Sequence, residues 1–182
     1  MGKRSDFDRV DRDFYPTPVE AVGPLVPHLG LDLDLPAGLR RPVRFVEPCA
    51  GDGALVRHLE AYGLVCTFAC DIEPQAPGIV CGDALRLASV DADLIITNPP
   101  WDRGILHPLI ENLAGIVPTW LLFDADWMHT MQAAALLRRC HKIVSVGRVR
   151  WIAGSANDGK DNAAWYLFGD ERAAPPSFYG RR

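Results

Sequence analysis

The tetrapeptide Asn98-Pro99-Pro100-Trp101 joins an amide, two prolines and an indole in one short stretch. Consecutive prolines lock their own φ and hold the residue before each of them extended. The Asn98 amide oxygen and the Pro99 carbonyl are thereby offered as a pair of acceptors, matched to the two N–H donors of a planar amino group. Trp101 adds an aromatic face on which a ring can stack. An ordinary strand-to-loop turn uses the same Asn-Pro pair, so the context has to decide.

That context begins with Leu94, Ile95, Ile96 and Thr97, an apolar and β-branched run that reads as a buried parallel strand ended by the prolines. In open α/β sheets, ligands bind just beyond the carboxyl ends of such strands. Upstream, residues 43–47 form a first strand that enters Pro48-Cys49-Ala50-Gly51-Asp52-Gly53 and then a helix over 54–62. Strand, glycine turn and helix bring a ligand against bare backbone. A second strand, 64–70, delivers Asp71 about twenty positions past the glycine turn, where an acid accepts both hydroxyls of a ribose; Ile72 packs on the adjoining ring, and Glu73 is the neighbouring acid. A short third strand within 78–85 ends at Gly82-Asp83. Before all of these, Tyr15-Pro16-Thr17-Pro18 leads into a helix over 19–29, with Thr17 as N-cap and Pro18 at the first helical position.

Downstream, the spacing predicts a helix over 105–114, a strand over 120–123, a helix over 128–139 and a strand over 141–146. Residues 148–152 and 164–168 pair across a polar turn as a hairpin at the sheet edge. Asp102-Arg103-Gly104 form a lip over the pocket, and Trp127 and Trp151 read as core. The pattern predicts a Rossmann-like α/β fold: a mostly parallel seven-stranded sheet, a C-terminal antiparallel hairpin and helices on both faces. One domain spans 1–182, with 1–12 and 170–182 loosely ordered.

Asn98-Pro99-Pro100-Trp101 resembles the catalytic motif of S-adenosylmethionine-dependent methyltransferases acting on exocyclic or amide nitrogens, above all the adenine-N6 enzymes. The resemblance covers residues 13–125 and includes the order of the motifs. It implies S-adenosylmethionine as cofactor. Tyr15, Pro16 and Thr17 would hold its methionine part, as would Glu47, Cys49, Ala50, Gly51 and Gly53 at the glycine turn; Asp71 and Ile72 would hold its ribose and adenine. Asp83 and Ala84 would meet the adenine amino group, while Asn98 adjoins both cofactor and target. Asn98, Pro99, Pro100 and Trp101 would act in catalysis, by direct methyl transfer to an adenine amino nitrogen in DNA first, or RNA. Related enzymes that methylate protein glutamine amides use the same Asn-Pro-Pro but carry Tyr where this chain has Trp101. A catalytically silent module of the same fold that binds a partner is the reading from another class. Beyond residue 125 the match is topological only and no separate target-recognition domain is read, which weakens the expectation of duplex sequence specificity; the cost of unstacking a base favours single-stranded or weakly paired sites, and a partner protein is the candidate source of recognition.

Composition limits the alternatives. The 182 residues are 48% hydrophobic, enough for a sizeable core, and no apolar run approaches a membrane span. The first residues lack the apolar core of a signal peptide, so a cytoplasmic location is expected. Five cysteines, an odd number, suit a reducing compartment better than a disulfide framework. Cys66, Cys70 and Cys81 fall in strands and read as buried small hydrophobes, with no metal site expected. A net charge of −4 is unusual for a nucleic-acid enzyme unless charge is segregated by face. Arg138, Arg139, Lys142, Arg148 and Arg150 cluster in sequence and are the candidates for such a face.

Overall fold

Side chains alternate along every central strand between two separate apolar cores. Phe45, Leu94, Ile96, Trp120 and Leu122 enter one core; Val46, Ile95, Leu121 and Phe123 enter the other. This is the two-residue period of a sheet buried on both faces. The computed structural model describes residues 14–30, 41–152, 159 and 161–181.

Among the described residues, eight strands form one sheet: β1 (Arg44–Glu47), β2 (Val65–Asp71), β3 (Val80–Cys81), β4 (Leu94–Thr97), β5 (Thr119–Asp124), β6 (Cys140–Arg148), β7 (Asn162–Phe168) and β8 (Ser177–Tyr179). Their order is β3-β2-β1-β4-β5-β7-β6-β8. The first five run parallel, and β7 lies antiparallel between β5 and β6. Helices α1 (Val19–Val22), α2 (Val26–Leu29) and α3 (Ala54–Ala61) cover one face through Ala21, Leu29, Leu55 and Leu59. The other face carries α4 (Arg103–Ala114) and α5 (Ala133–Leu136), packed through Leu106, Leu109, Leu113 and Leu136. Strand order reverses between β1 and β4, which opens a crevice at their carboxyl ends.

The structure departs from the sequence expectations in several places. The helix expected over 19–29 is split into α1 and α2 at Gly23-Pro24, because Pro24 has no N–H to continue the ladder. Thr17 is not the N-cap: Pro18 holds that position and no side chain caps α1. The helix expected over 128–139 is a 3₁₀ turn (Ala125–His129), α5 and a second 3₁₀ turn (Leu137–Arg139). It breaks because Trp127 is drawn into the core, its indole donating to His107 Nε2 at 2.9 Å, while both the Thr130 N–H and hydroxyl close on the Trp127 carbonyl. The hairpin forms between β6 and β7, one strand earlier than expected, and it is interior. An eighth strand covers the outer side of β6, where an irregular tail was expected. Pro175-Pro176 conceal it, since proline is compatible with the start of an edge strand. Residues 1–12, most of the loop expected over 30–41 and most of the turn over 153–162 lie outside the described residues.

Candidate active site

Asn98 follows the last residue of β4 and sits half-buried at the mouth of the crevice. Its amide nitrogen donates to the Thr17 hydroxyl oxygen at 3.2 Å and to the Tyr15 carbonyl at 3.4 Å. A carbonyl can only accept, so this pairing fixes which end of the amide is nitrogen. The oxygen end is met by the Trp101 indole N–H at 3.4 Å, a long contact. Pro100 lines the crevice beside Asn98, whereas Pro99 is buried.

Trp101 is placed differently from the expectation. It does not line the crevice; it folds back onto both cores and meets Trp151 edge to face, with ring centroids 5.6 Å apart. Trp151 is therefore half-buried beside this motif, while Trp127 is core at 1% exposure. The expected lip is the capped start of α4: the Asp102 side chain accepts from the Gly104 N–H at 2.8 Å.

On the β1 side, the chain turns at Gly51 with φ +52°, and a Cβ there would lie 2.6 Å from Phe14 Cε2. Only glycine lets the turn pass beneath that ring. Phe14 was not singled out from the sequence, where its one signal was the aromatic and proline density around it. Gly53, with φ +77°, starts α3 and faces Ile79 rather than the crevice. Cys49 and Ala50 line the crevice, and burial raises the Cys49 thiol well above its usual range, so it stays neutral. Glu47 ends β1 at 2% exposure, and its Oε2 has no partner among the described residues. Burial first, then the nearby Asp71 and Asp52, pushes its carboxyl well above the ordinary range.

Asp71, at the end of β2, accepts backbone N–H groups on both oxygens: Gly51 at 2.8 Å and Glu73 at 2.8 Å. A carboxylate has about four acceptor positions, so each oxygen retains one for a hydroxyl. Ile72, 60% exposed, lines the crevice next to it. Asp83 Oδ1 accepts from the Leu85 N–H at 2.9 Å and caps a 3₁₀ turn, with Ala84 buried behind it.

The crevice encloses about 880 Å³, within the roughly 300–1,000 Å³ range of small-molecule sites. It brings together Tyr15, Pro16, Thr17, Glu47, Cys49, Ala50, Gly51, Asp71, Ile72, Asp83, Ala84, Asn98 and Pro100; Gly53, Pro99 and Trp101 stand outside its lining. Its charged lining is wholly acidic among the described residues: Glu47, Asp52, Asp71, Glu73, Asp83 and Asp102.

No protein-family model matches the chain, and no curated protein matches it in sequence. Solved structures do match. A protein described as a candidate RNA methyltransferase from Pyrococcus horikoshii superposes with a TM-score of 0.59 at 15% identity, over 92% of this chain and 91% of its own. The chain has the methyltransferase fold. A candidate class I S-adenosylmethionine-dependent methyltransferase from Listeria monocytogenes gives a TM-score of 0.57 at 13% identity, over 96% of this chain and 68% of that one. The methyltransferase subunit of a type I restriction-modification system from Streptococcus thermophilus gives 0.58 at 10% identity, over 91% of this chain. The chain spans about half the length of that subunit, 47%.

Proposed function

We propose that the chain is an S-adenosylmethionine-dependent methyltransferase acting on the exocyclic N6 amino group of adenine in nucleic acid, with DNA the first target and RNA the second. The observation that carries the reading is Asn98 at the switch-point crevice, its N–H end tied to Thr17 and Tyr15 and its oxygen end turned the other way.

The donor set fits this cofactor. Six acidic groups line the crevice, Asp52 and Asp83 paired with Arg57 and Arg86 outside it, and no cation is among the described lining residues, an environment that suits a ligand bearing a sulfonium and an ammonium. The orphaned Glu47 oxygen is a ready acceptor for the ammonium. Bare backbone at Gly51 admits the methionine part, Asp71 takes the ribose hydroxyls and Ile72 covers the adenine face. When bound, the cofactor supplies an electrophilic methyl group.

The rest is done by the chain. The Asn98 amide oxygen and the Pro99 carbonyl take the two N–H groups of the target amine, which localises its lone pair for attack. Their fixed dipoles stabilise positive charge as it develops on that nitrogen. Orientation provides much of the rate, because the amine has to approach the methyl in line. Unstacking a base costs a few kcal/mol, and Trp101 is turned back onto the cores rather than into the crevice, which favours single-stranded or weakly paired sites.

The test is a nucleoside assay. DNA and RNA are incubated with the protein and methyl-labelled cofactor, digested and analysed by mass spectrometry. Labelled N6-methyladenine nucleoside is expected; label confined to another nucleoside, or to glutamine of a protein substrate, refutes the assignment.

A further inference from the structure

Asn98 works as an acceptor only if its amide presents oxygen, not nitrogen, to the substrate. The two ends differ little in shape, so something has to choose between them. The Trp101 indole N–H meets the oxygen end only at 3.4 Å, and the other contacts that choose come from 83 and 81 residues earlier in the chain, the Tyr15 carbonyl and the Thr17 hydroxyl, both on the amide nitrogen. Flipping the amide would set its oxygen against the Tyr15 carbonyl, two acceptors with no proton between them. Thr17 is 4% exposed, and its hydroxyl does not cap α1. Pro16 and Pro18 flank it and hold both Tyr15 and Thr17 extended, so the bracket is stiff.

From this geometry we infer that Thr17 is a positioning residue for methyl transfer: with the Tyr15 carbonyl, it locks the Asn98 amide oxygen-outward. The inference rests on the function proposed above and adds a role for the entry segment besides holding the cofactor. A hydroxyl that accepts from Asn98 still has its own proton to donate. The same group can therefore touch the cofactor carboxylate while it orients the amide.

Thr17→Val keeps the shape and removes the hydroxyl as acceptor and donor alike, Thr17→Ser restores it, and the two roles are separated by reading kcat at saturating cofactor apart from cofactor Kd. The readouts are kcat and KM on a single-stranded, adenine-containing oligonucleotide, and cofactor Kd by calorimetry. We expect Thr17→Val to lower kcat at saturating cofactor by about tenfold or more, the effect of a mispositioned acceptor, over and above any weakening of cofactor Kd. Thr17→Ser should recover most of that rate. A kcat within twofold of wild type in Thr17→Val, or a loss appearing wholly in cofactor Kd, overturns the inference. A second readout needs no variant at the site: the side-chain amide protons of Asn98 in the wild-type protein should exchange with solvent far more slowly than those of the exposed Asn162. Equal exchange rates also overturn it. If the wild type methylates no nucleic acid at all, the proposed function falls, and amide exchange still decides whether Thr17 holds Asn98.

Discussion

Glu47 carries an energetic cost that the Val56 backbone and Arg57 offset only in part. A carboxyl at 2% exposure with one orphaned oxygen resists ionisation, and its pKa is raised by burial and then by Asp71 and Asp52. A raised folded pKa means the stability of the protonated form is fully present below the ordinary value near 4.5 and is lost as pH rises through the raised one. Glu47→Gln removes that loss. It should raise Tm at neutral pH by about 2–4 °C, equivalent to roughly 1 kcal/mol, in thermal denaturation. The same variant should weaken cofactor binding about tenfold or more by calorimetry, because the ammonium loses its counter-charge. In the wild type, affinity should increase with pH across the same window. Asn98, Asp71 and Asp83 were legible from sequence because polar residues that end apolar runs are scarce. Phe14 was not: an aromatic residue ahead of a turn carries no mark of the glycine it will cover.

At the scale of elements, the glycine turn is the tightest constraint. Gly51→Ala places a Cβ in a left-handed conformation and 2.6 Å from the Phe14 ring. The strain should cost about 1–3 kcal/mol in chemical denaturation and displace Phe14 from the crevice, with cofactor affinity falling alongside. Near-normal stability and affinity in this variant would contradict the close-approach account. The five parallel strands could be read from the sequence because each pairs an apolar run with a polar end. The 128–139 helix could not, because its periodicity does not reveal that Trp127 is anchored to His107 on α4 and that Thr130 closes the turn. β8 escaped for a related reason: two prolines argue locally against a strand, and only the exposed side of β6 supplies its pairing.

For the molecule as a whole, charge sets how it meets nucleic acid. The basic residues clustered in sequence are split by the fold. Cys140 aligns through Phe168 with Thr119 at the amino end of β5, and Gly147 aligns through Ala163 with Asp124 at its carboxyl end. Arg138 and Arg139 therefore lie at the end of the sheet away from the crevice, Lys142 is half-buried near them, and Arg148 and Arg150 lie toward the crevice. Arg41, Arg44, Arg57 and Arg86 are engaged by Asp93, Asp91, Asp52 and Asp83. With these four arginines ion-paired and the charged crevice lining wholly acidic among the described residues, the dependence of log K on log salt for single-stranded DNA should be shallow, with a slope no steeper than about −3 in a fluorescence titration. A much steeper slope would mean that a basic surface takes the phosphates, contrary to this account. Composition showed the net acidity but not this segregation, which depends on strand register.

The central claim is that the Asn98 amide oxygen grips the amine that receives the methyl group. It is tested most directly by single-turnover transfer from labelled S-adenosylmethionine to an adenine-containing oligonucleotide, comparing wild type with Asn98→Ala at saturating cofactor. The account predicts transfer by the wild type and a loss of at least about a hundredfold in the variant, with cofactor Kd within a few-fold. Undiminished transfer by Asn98→Ala would contradict it.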